Sequence, residues 1–181
     1  MMQNVILVNE NDEVTGTAEK MEAHQKGWLH RAFSIFVFNS KGEMLIQQRA
    51  LEKYHSGGLW TNACCSHPRP GEKTDDAARR RLKEELGFET SLTEIFDFVY
   101  KAEFVNGLAE FEYDHVYVGE YDGIIRADTE EVMGFCFRPM AELTKLIKDQ
   151  PEIYTAWFRI AFPKIEEWWK NRYADSTIEV K

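Results

Sequence analysis

One stretch, Trp60–Gly87, constrains the fold more than any other part of the chain. It begins as a loop that contains Cys65, His67 and Glu72, and it continues into a helix that ends at Gly87. An ordinary hydrophobic core seldom needs a thiol, an imidazole and a carboxylate so close together. Because functional groups are commonly carried on loops held by a rigid scaffold, this stretch indicates a functional site at the start of a helix.

The predicted helix has a signal at each end. Thr74 is the predicted N-cap, and Gly87 suits the left-handed position that follows a helix. The buried stripe is predicted at positions spaced by four residues, which are Ala78, Leu82 and Leu86. Glu85 projects near the edge of this stripe, where a carboxylate is awkward for packing but useful for binding a metal.

The spacing of these residues resembles the Nudix box, which is Gly, five residues, Glu, seven residues, then Arg-Glu-apolar-any-Glu-Glu-any-Gly-apolar. The positions that match are Glu72, Arg80, Leu82, Glu84, Glu85, Gly87 and Phe88. Two positions depart from the box, because Ser66 replaces the opening Gly and Arg81 replaces the first Glu. We expect Arg81 to pair with an acid on its own helix, either Glu84 or Glu85.

Length and charge exclude several classes of protein. A chain of 181 residues is long enough for one domain, residues 1–181, that buries roughly 70% of its unfolded surface. The net charge of −9 opposes a nucleic-acid partner, which requires a basic surface. No apolar run reaches the length of about 20 residues that a membrane span needs. The short apolar run near the N-terminus has no basic flank, so we expect no signal peptide there. Three cysteines do not make a disulfide framework, and we therefore expect a cytoplasmic protein.

The remaining pattern predicts an α/β (α+β) fold, a Nudix-like mixed sheet with helices packed around it. The predicted strands are Val5–Asn9, Ala32–Phe38, Met44–Arg49, Glu94–Lys101, Ala109–Glu120 and Val132–Phe137. Further helices are predicted from Pro139 to Lys148 and, interrupted by Pro163, over Glu152–Arg172. The polar segment Thr15–Trp28 predicts a turn and a short helix, and residues 55–58 predict a flexible loop.

One predicted strand carries acidic residues at alternate positions. A period of two places Glu110, Glu112 and Asp114 on the same face. Either this is a solvated edge strand, or the paired carboxylates face inward and require a cation or a raised pKa. Three histidines that flank the central motif are natural companions, namely His24, His30 and His67. Three imidazoles and two carboxylates suit Mn²⁺, with Zn²⁺ as the alternative.

The three cysteines are not equivalent. Free cysteine is usually a small buried apolar residue, and we interpret Cys64 and Cys136 in that way. Cys65 lies two residues before His67 in a loop that leads to a helix. If that loop lines a metal-bearing pocket, the Cys65 thiol becomes a candidate acid, base or nucleophile.

The similarity then extends beyond the box. The matching runs are Leu29–Asn39, Gln47–Lys53, Trp60–Pro68, Arg80–Gly87 and Glu110–Glu112, and they resemble the type I isopentenyl-diphosphate Δ-isomerases. The likeness covers most of the chain, from Thr15–Lys20 to Glu131-Val132 and more loosely to Trp157. The run TN-x-x-C-x-HP with a downstream E-x-E is far more specific than a Nudix box alone.

The resemblance implies roles for individual residues. The implied ligands of the main metal site are His24, His30, His67, Glu110 and Glu112. Cys65 matches the catalytic cysteine, and Glu112, helped by Tyr100, matches the catalytic glutamate on the opposite side of the substrate. Glu85 and the carbonyl of Cys65 match the groups that hold Mg²⁺ against the diphosphate. The positions implied to contact the diphosphate are Lys20, Arg49, Lys53 and Ser66. Trp157 resembles the aromatic residue that faces the reacting carbon.

The implied reaction is the reversible isomerisation of isopentenyl diphosphate to dimethylallyl diphosphate in isoprenoid biosynthesis. It adds a proton at C4 and removes one from C2 through a tertiary carbocation. Two acid–base groups on opposite faces are therefore required, and water must be excluded. We favour Glu112 with Tyr100 as the donor and Cys65 as the base.

Two other functions remain open at this point. A Nudix pyrophosphohydrolase that cleaves a nucleoside diphosphate derivative would bind Mg²⁺ through the glutamates of the box. Arg81 in the first of those positions opposes it, and hydrolysis gives Cys65 no role. A catalytically silent binding module would be expected to lack some of the residues Cys65, His67, Glu110 and Glu112, and all are present. A small-molecule substrate is expected, and a monomer and a homodimer are both compatible with the sequence.

Overall fold

A computed structural model describes residues 3–104 and 106–173. Within these residues the strands are β1 (Asn4–Val8), β2 (Val14–Glu19), β3 (His30–Phe38), β4 (Met44–Arg49), β5 (Trp60–Thr61), β6 (Cys64–Ser66), β7 (Thr93–Glu103), β8 (Ala109–Glu120) and β9 (Val132–Arg138). The helices are α1 (Lys20–Lys26), α2 (Thr74–Leu86), α3 (Met140–Asp149) and α4 (Ala156–Tyr173), with a short 3₁₀ turn at Pro151–Ile153. None of the helices in the described part of the chain has the length and apolar character that crossing a bilayer requires.

Strand β3 lies at the centre of a mixed sheet. It pairs in parallel with β8, from His30 opposite Glu112 to the C-terminal ends of both strands. It also pairs antiparallel with β6, where Ser34 lies opposite Cys65. Strand β7 continues the sheet beyond β8, and β9 continues it beyond β4. The predicted mixed sheet with packed helices is confirmed, and β3 brings the two parts of the predicted site together.

Helices cover both faces of β3. Phe33, Ile35 and Val37 share one hydrophobic cluster with residues of α2 such as Leu82 and Leu86. The intervening side chains, Phe36 and Phe38, pack in a second cluster with α3 and α4. A strand that is buried on both faces reads as a continuous apolar run rather than an alternating one, which is the pattern of this strand in the sequence.

Two segments differ from the sequence prediction. The turn predicted at the start of Thr15–Trp28 is wrong, because β2 pairs with β1 along its whole length, whereas the short helix is confirmed as α1. The predicted interruption at Pro163 is also wrong, since α4 runs unbroken through it. A proline inside a helix costs about 3 kcal/mol, and burial of neighbouring residues such as Phe162 and Ile165 offsets that cost.

The ends of α2 lie close to their predicted positions. Thr74 is the first helical residue and not the N-cap, which is Lys73 and makes no capping hydrogen bond through its side chain. Lys73 has an extended backbone, so the helix begins one residue later than an N-cap at Thr74 requires. Gly87 has the predicted left-handed conformation, with φ at 72°, and its N–H donates to the carbonyl of Lys83.

Replacing Gly87 by Ala should destabilise the protein by about 1–3 kcal/mol. The positive φ strains any side chain, and a Cβ there would lie 2.5 Å from the carbonyl oxygen of Arg126. Gly16 is the matched control, because a Cβ at that position has no neighbour within 4 Å. The free energies of unfolding in urea should fall for Gly87→Ala and remain near wild type for Gly16→Ala. Equal midpoints for the two variants would contradict the role given to Gly87.

Candidate active site

A cavity of about 340 Å³ lies at one end of β3 and β8, within the size range of small-molecule sites. The predicted site residues that line it are Lys20, Arg49, Lys53, Cys65, Ser66, His67, Glu85, Tyr100, Glu110, Glu112 and Trp157. His24 and His30 do not line the cavity, but their rings lie 5.7 Å and 5.0 Å from the ring of His67, centroid to centroid. The structure therefore assembles in one place residues from distant parts of the sequence.

Four of the predicted metal ligands form a compact group. The ligating atoms of His24, His30, His67 and Glu112 all lie within 4.8 Å of one another. Glu110 belongs to a second group with His24 and His55, under the same limit. The prediction that Glu110, Glu112 and Asp114 share one face of the strand is confirmed, and of the two alternatives left open the inward one is correct, because all three residues are buried.

The imidazoles of His24 and His30 are oriented as metal ligands usually are. Their Nδ1 atoms lie 2.7 Å and 2.8 Å from the carbonyl oxygens of Lys20 and Trp28, and a carbonyl only accepts a hydrogen bond. Each Nε2 therefore carries a lone pair, and each is buried without a hydrogen-bond partner among the described residues. Buried lone pairs that face the carboxylate of Glu112 fit a divalent cation, since second-shell bonds of this kind fix a ligand's tautomer.

Burial sets the charge state of this group. It lowers the pKa of His24 to about 4 and that of His67 to about 3, so both rings are neutral near pH 7 and able to bind a metal. Burial and the charge of Glu112 raise the pKa of Glu110 well above its usual range. Burial would also raise the pKa of Glu112, but the neighbouring imidazoles of His30 and His67 hold it well below its usual range. The two carboxyl groups of Glu110 and Glu112 are therefore most stable when they share one proton, which Glu110 carries.

Tyr100 connects the two carboxylates. Its position on β7 lies opposite Glu112 on β8. The hydroxyl donates to Oε2 of Glu112 at 2.6 Å and lies 3.1 Å from Oε2 of Glu110. Burial and both carboxylates raise the pKa of Tyr100 well above its usual range, so the group remains a hydrogen-bond donor.

Cys65 enters the cavity from β6. Its Sγ lies 3.0 Å from Oδ1 of Asn62 and 3.5 Å from Oγ of Ser34. Ser34 in turn donates to Asp114 at 2.7 Å. Burial, reinforced by the negative charge of Asp114, raises the pKa of the Cys65 thiol. The sequence did not predict these contacts of Asn62 and Ser34. Ser34 is a single polar residue within a strand and Asn62 lies in a short loop, and neither residue was assigned a role from the sequence.

The raised pKa predicts slow alkylation of Cys65. Iodoacetamide reacts with the thiolate, and each unit of pKa increase reduces the thiolate fraction tenfold. We expect Cys65 in the metal-free protein to react more than tenfold more slowly than glutathione at pH 8, with a rate that rises with pH beyond 9. Mass spectrometry of the tryptic peptides would measure this rate, with Cys136 as the internal comparison. A rate equal to that of glutathione would contradict the raised pKa.

Cationic side chains line the same cavity. The guanidinium carbon of Arg49 lies 5.1 Å from the ring centroid of Trp157, and the ammonium of Lys20 lies 4.7 Å from that of Tyr54. Burial, followed by the charge of Lys53, lowers the pKa of Lys20 to about 8. Positive charges are therefore concentrated in a confined space, which favours binding of an anion.

Glu85 is buried and already has two partners. Its Oε1 accepts from Arg81 at 2.6 Å, and its Oε2 accepts from Gln47 at 3.0 Å. Arg81 also donates to Glu84 at 2.7 Å, so the predicted pairing of this arginine is confirmed. A cation bound by Glu85 therefore competes with Arg81 for the same carboxylate.

The segment 55–58 contains a site residue that the sequence did not predict. His55 is 6% exposed and lines the cavity, although a flexible loop was expected there. Its ring is stacked on Phe104, with the centroids 4.5 Å apart. A signal was present in the adjacent aromatic residue Tyr54, since an aromatic pair in a glycine-rich loop favours burial.

Comparison with known proteins gives the class first. A family model described as NUDIX domain matches residues 28–158. The solved structure of DR0079 from Deinococcus radiodurans superposes with a TM-score of 0.75 at 21% identity, over 90% of this chain and 98% of that one. The MutT protein from Methanosarcina mazei Go1 superposes with a TM-score of 0.63 at 16% identity, over 77% and 94%. The chain has the Nudix fold.

Sequence relatives then give the particular family. An isopentenyl-diphosphate Delta-isomerase of Pectobacterium atrosepticum is 48% identical over 169 residues, which is 93% of this chain and 94% of that protein. A protein of the same name from Burkholderia multivorans is 47% identical over 93% of this chain and 98% of its own length. One from Streptomyces coelicolor is 50% identical over 84% and 78%. The chain belongs to the isopentenyl-diphosphate Δ-isomerase family of Nudix-domain proteins.

Proposed function

We propose that this enzyme isomerises isopentenyl diphosphate reversibly to dimethylallyl diphosphate and so serves isoprenoid biosynthesis. The observation that carries the proposal is a single cavity that combines two kinds of group. The Cys65 thiol and the carboxylate of Glu112, which accepts a hydrogen bond from Tyr100, line it together with the cationic side chains of Lys20 and Arg49. A prenyl diphosphate needs this combination, with positive charge for the diphosphate and acid–base groups for the alkene.

The proton balance of the reaction requires one donor and one acceptor. A proton added at C4 leaves a tertiary carbocation, and loss of a proton from C2 forms the internal double bond. The raised pKa of Cys65 and the lowered pKa of Glu112 favour a neutral thiol beside a carboxylate in the free enzyme. We assign one of the two proton transfers to each group, and the order favoured from the sequence, with Glu112 and Tyr100 as donor and Cys65 as base, stays a prediction.

The aromatic wall of the cavity complements the carbocation. Trp157 is 3% exposed, and it lines the cavity together with Cys65. An indole face near a desolvated cation is worth about 2 kcal/mol. Exclusion of water by this wall also keeps the carbocation from being hydrated before the second proton transfer.

We propose that His24, His30, His67, Glu110 and Glu112 hold the resident divalent ion, Mn²⁺ or Zn²⁺. A bound ion would supply positive charge that orients Glu112 and adjusts its proton affinity. Glu85 and the carbonyl of Cys65 would hold Mg²⁺ with the diphosphate, which Lys20, Arg49, Lys53 and Ser66 would contact. Lys53 is ion-paired with Glu131 at the cavity, so binding of the diphosphate requires it to exchange partners.

The decisive experiment incubates the purified protein with isopentenyl diphosphate, Mn²⁺ and Mg²⁺. Dimethylallyl diphosphate should form without release of phosphate, as followed by NMR. Release of phosphate would instead support a Nudix pyrophosphohydrolase, and no turnover at all would support a silent binding module. Arg81 opposes hydrolysis, because its guanidinium occupies the place of a metal-binding glutamate and neutralises two others.

The assembly and location of the enzyme are part of the same proposal. We propose a single domain over residues 1–181 that acts in the cytoplasm, as a monomer or homodimer, on a free small-molecule substrate. Light scattering coupled to gel filtration would measure the mass of the particle in solution, for comparison with the chain mass of 21.2 kDa.

A further inference from the structure

Asn62 lies beside the Cys65 thiol, and both polar atoms of its side chain form hydrogen bonds. It is fully buried in the loop between β5 and β6. Its Nδ2 donates to the carbonyl of Ile35 at 3.0 Å and to that of Cys64 at 2.9 Å. Its Oδ1 lies 2.9 Å from Oγ1 of Thr61 and 3.0 Å from Sγ of Cys65. A buried amide that is bonded in this way is held in a single orientation.

These contacts determine which atom of the amide faces the sulfur. A carbonyl oxygen only accepts hydrogen bonds, so the two backbone carbonyls must face the two N–H donors of the amide. The atom that faces Cys65 is therefore the amide oxygen, which also only accepts. The thiol must be the donor of this bond, and its single proton points at Asn62.

A second polar neighbour of the thiol competes less well for its proton. Oγ of Ser34 lies 3.5 Å from Sγ of Cys65, compared with 3.0 Å for Oδ1 of Asn62. The hydroxyl of Ser34 donates instead to Asp114, at 2.7 Å. Because hydrogen bonds weaken with distance, the bond to Asn62 is the one that fixes the direction of the S–H group.

A buried chain of hydroxyl groups connects Asn62 with helix α4. Oγ1 of Thr155 donates to Oγ1 of Thr61 at 3.0 Å, and Thr61 donates to Oδ1 of Asn62. All three residues are at most 1% exposed. Thr155 comes directly before α4, and its backbone N–H donates to the carbonyl of Trp60 at 2.9 Å. The position of the thiol is thereby tied to the helix that carries Trp157, the aromatic wall of the cavity.

We propose that Asn62 is a positioning residue that fixes the orientation of the Cys65 thiol for proton transfer. This inference rests on the proposed function, because it requires that the thiol takes part in the reaction. A group that transfers a proton must lie within hydrogen-bond reach of the reacting atom. Loss of Asn62 should therefore lower kcat by about 100-fold, the usual effect of displacing a reacting group by roughly 1 Å. KM should stay nearly unchanged, since the cations that line the cavity remain in place.

Two substitutions separate this role from the structural bonds of Asn62. Asn62→Leu and Asn62→Asp both remove the N–H donors that bind the two backbone carbonyls. Only Asn62→Asp keeps an oxygen that can accept a hydrogen bond from the Cys65 thiol. Ser34→Ala is the control for the other polar neighbour of the sulfur. Melting temperatures should fall in both Asn62 variants, since both lose the same two donors.

Infrared difference spectra would observe the S–H bond directly. Each protein would be compared with the same protein carrying Cys65→Ala, which isolates the S–H stretch of Cys65 from those of Cys64 and Cys136. A thiol that donates a hydrogen bond absorbs at a lower frequency than a free thiol. The band should lie at the lower frequency in the wild type, in Ser34→Ala and in Asn62→Asp, and at the free-thiol frequency in Asn62→Leu.

Steady-state kinetics with isopentenyl diphosphate would measure the consequence for turnover. The expected kcat falls about 100-fold in Asn62→Leu and less than about tenfold in Asn62→Asp. An equal loss of kcat in the two variants would overturn the inference, since Asn62 would then have only a structural role. Wild-type kcat in Asn62→Leu would also overturn it.

The spectrum of the wild type tests the inference even if neither Asn62 variant folds. A free-thiol band in the wild type, or a band that moves to the free-thiol frequency in Ser34→Ala, would overturn it. Failure of the proposed function gives a different result. A protein that shows the bonded band but forms no dimethylallyl diphosphate refutes the activity alone, whereas an active protein with a free thiol refutes the role of Asn62 alone.

Discussion

Replacing Glu112 by Gln should lower kcat for isomerisation by at least about 10³-fold, the upper range of general acid–base catalysis. The amide neither accepts nor delivers the proton, and it removes the negative charge that faces His67 at 2.8 Å and Tyr100 at 2.6 Å. Affinity for Mn²⁺ should fall as well, because a carboxylate in the centre of the ligand group is lost. Rates of dimethylallyl diphosphate formation and a Mn²⁺ titration would measure both effects.

Glu120→Gln is the matched control for Glu112→Gln. Glu120 ends the same strand, is exposed, and lies opposite Phe38 at the far end of the β3–β8 pairing. This variant should retain wild-type turnover and metal affinity. Circular dichroism and melting of both metal-free variants would show that the fold is intact. Wild-type turnover in Glu112→Gln would contradict the placement of the acid–base pair.

Replacing Cys65 by Ala should reduce turnover by about 10³-fold while leaving KM nearly unchanged. In the proposed mechanism the thiol is an acid–base group on its wall of the cavity, whereas Lys20 and Arg49, which would bind the diphosphate, remain in place. Loss of kcat without loss of binding is the mark of a group that acts in the transition state. Steady-state kinetics with isopentenyl diphosphate would measure both parameters.

Cys136→Ala provides the comparison for Cys65→Ala. Cys136 lies on β9, is partly buried, and does not line the cavity. The Cys136→Ala variant should keep wild-type kinetics, and its Cys65 should be alkylated at the wild-type rate. A Cys65→Ala enzyme with wild-type kcat would exclude any role of the thiol, and an equal loss in both variants would indicate a general effect on folding.

The elements that were predicted well are those with strong local signals. The interior of β3 is a run of branched and aromatic residues, and β8 alternates between acidic and aromatic side chains, so both were found in place. Strand β2 is polar, and its strand structure comes from pairing with β1, which local sequence does not reveal. Pro163 was misjudged for a similar reason, since the packing of α4 on the sheet offsets a local penalty.

The site residues that could be predicted from the sequence are those that a motif or the family resemblance identifies. The structure brings the histidines, the carboxylates and Cys65 together in or beside one cavity, whereas their roles stay predictions until the variants are measured. His55 was not predicted, because its burial depends on Phe104 and Trp157, which are about 50 and 100 residues away along the chain. Hydrophobic periodicity does not report such distant contacts in a loop.

The parallel pairing of β3 with β8 makes the chemistry sensitive to strand register. Side chains of a strand alternate between the two faces, so a slip of β8 by a single residue would turn Glu112 outward and place Phe111 or Tyr113 in the cavity. A protein that slipped in this way would keep most of its backbone hydrogen bonds and yet lose the carboxylate that we propose acts in proton transfer. Insertions or deletions near the Asn106-Gly107 turn are therefore expected to be tolerated only where they preserve the alignment of these two strands.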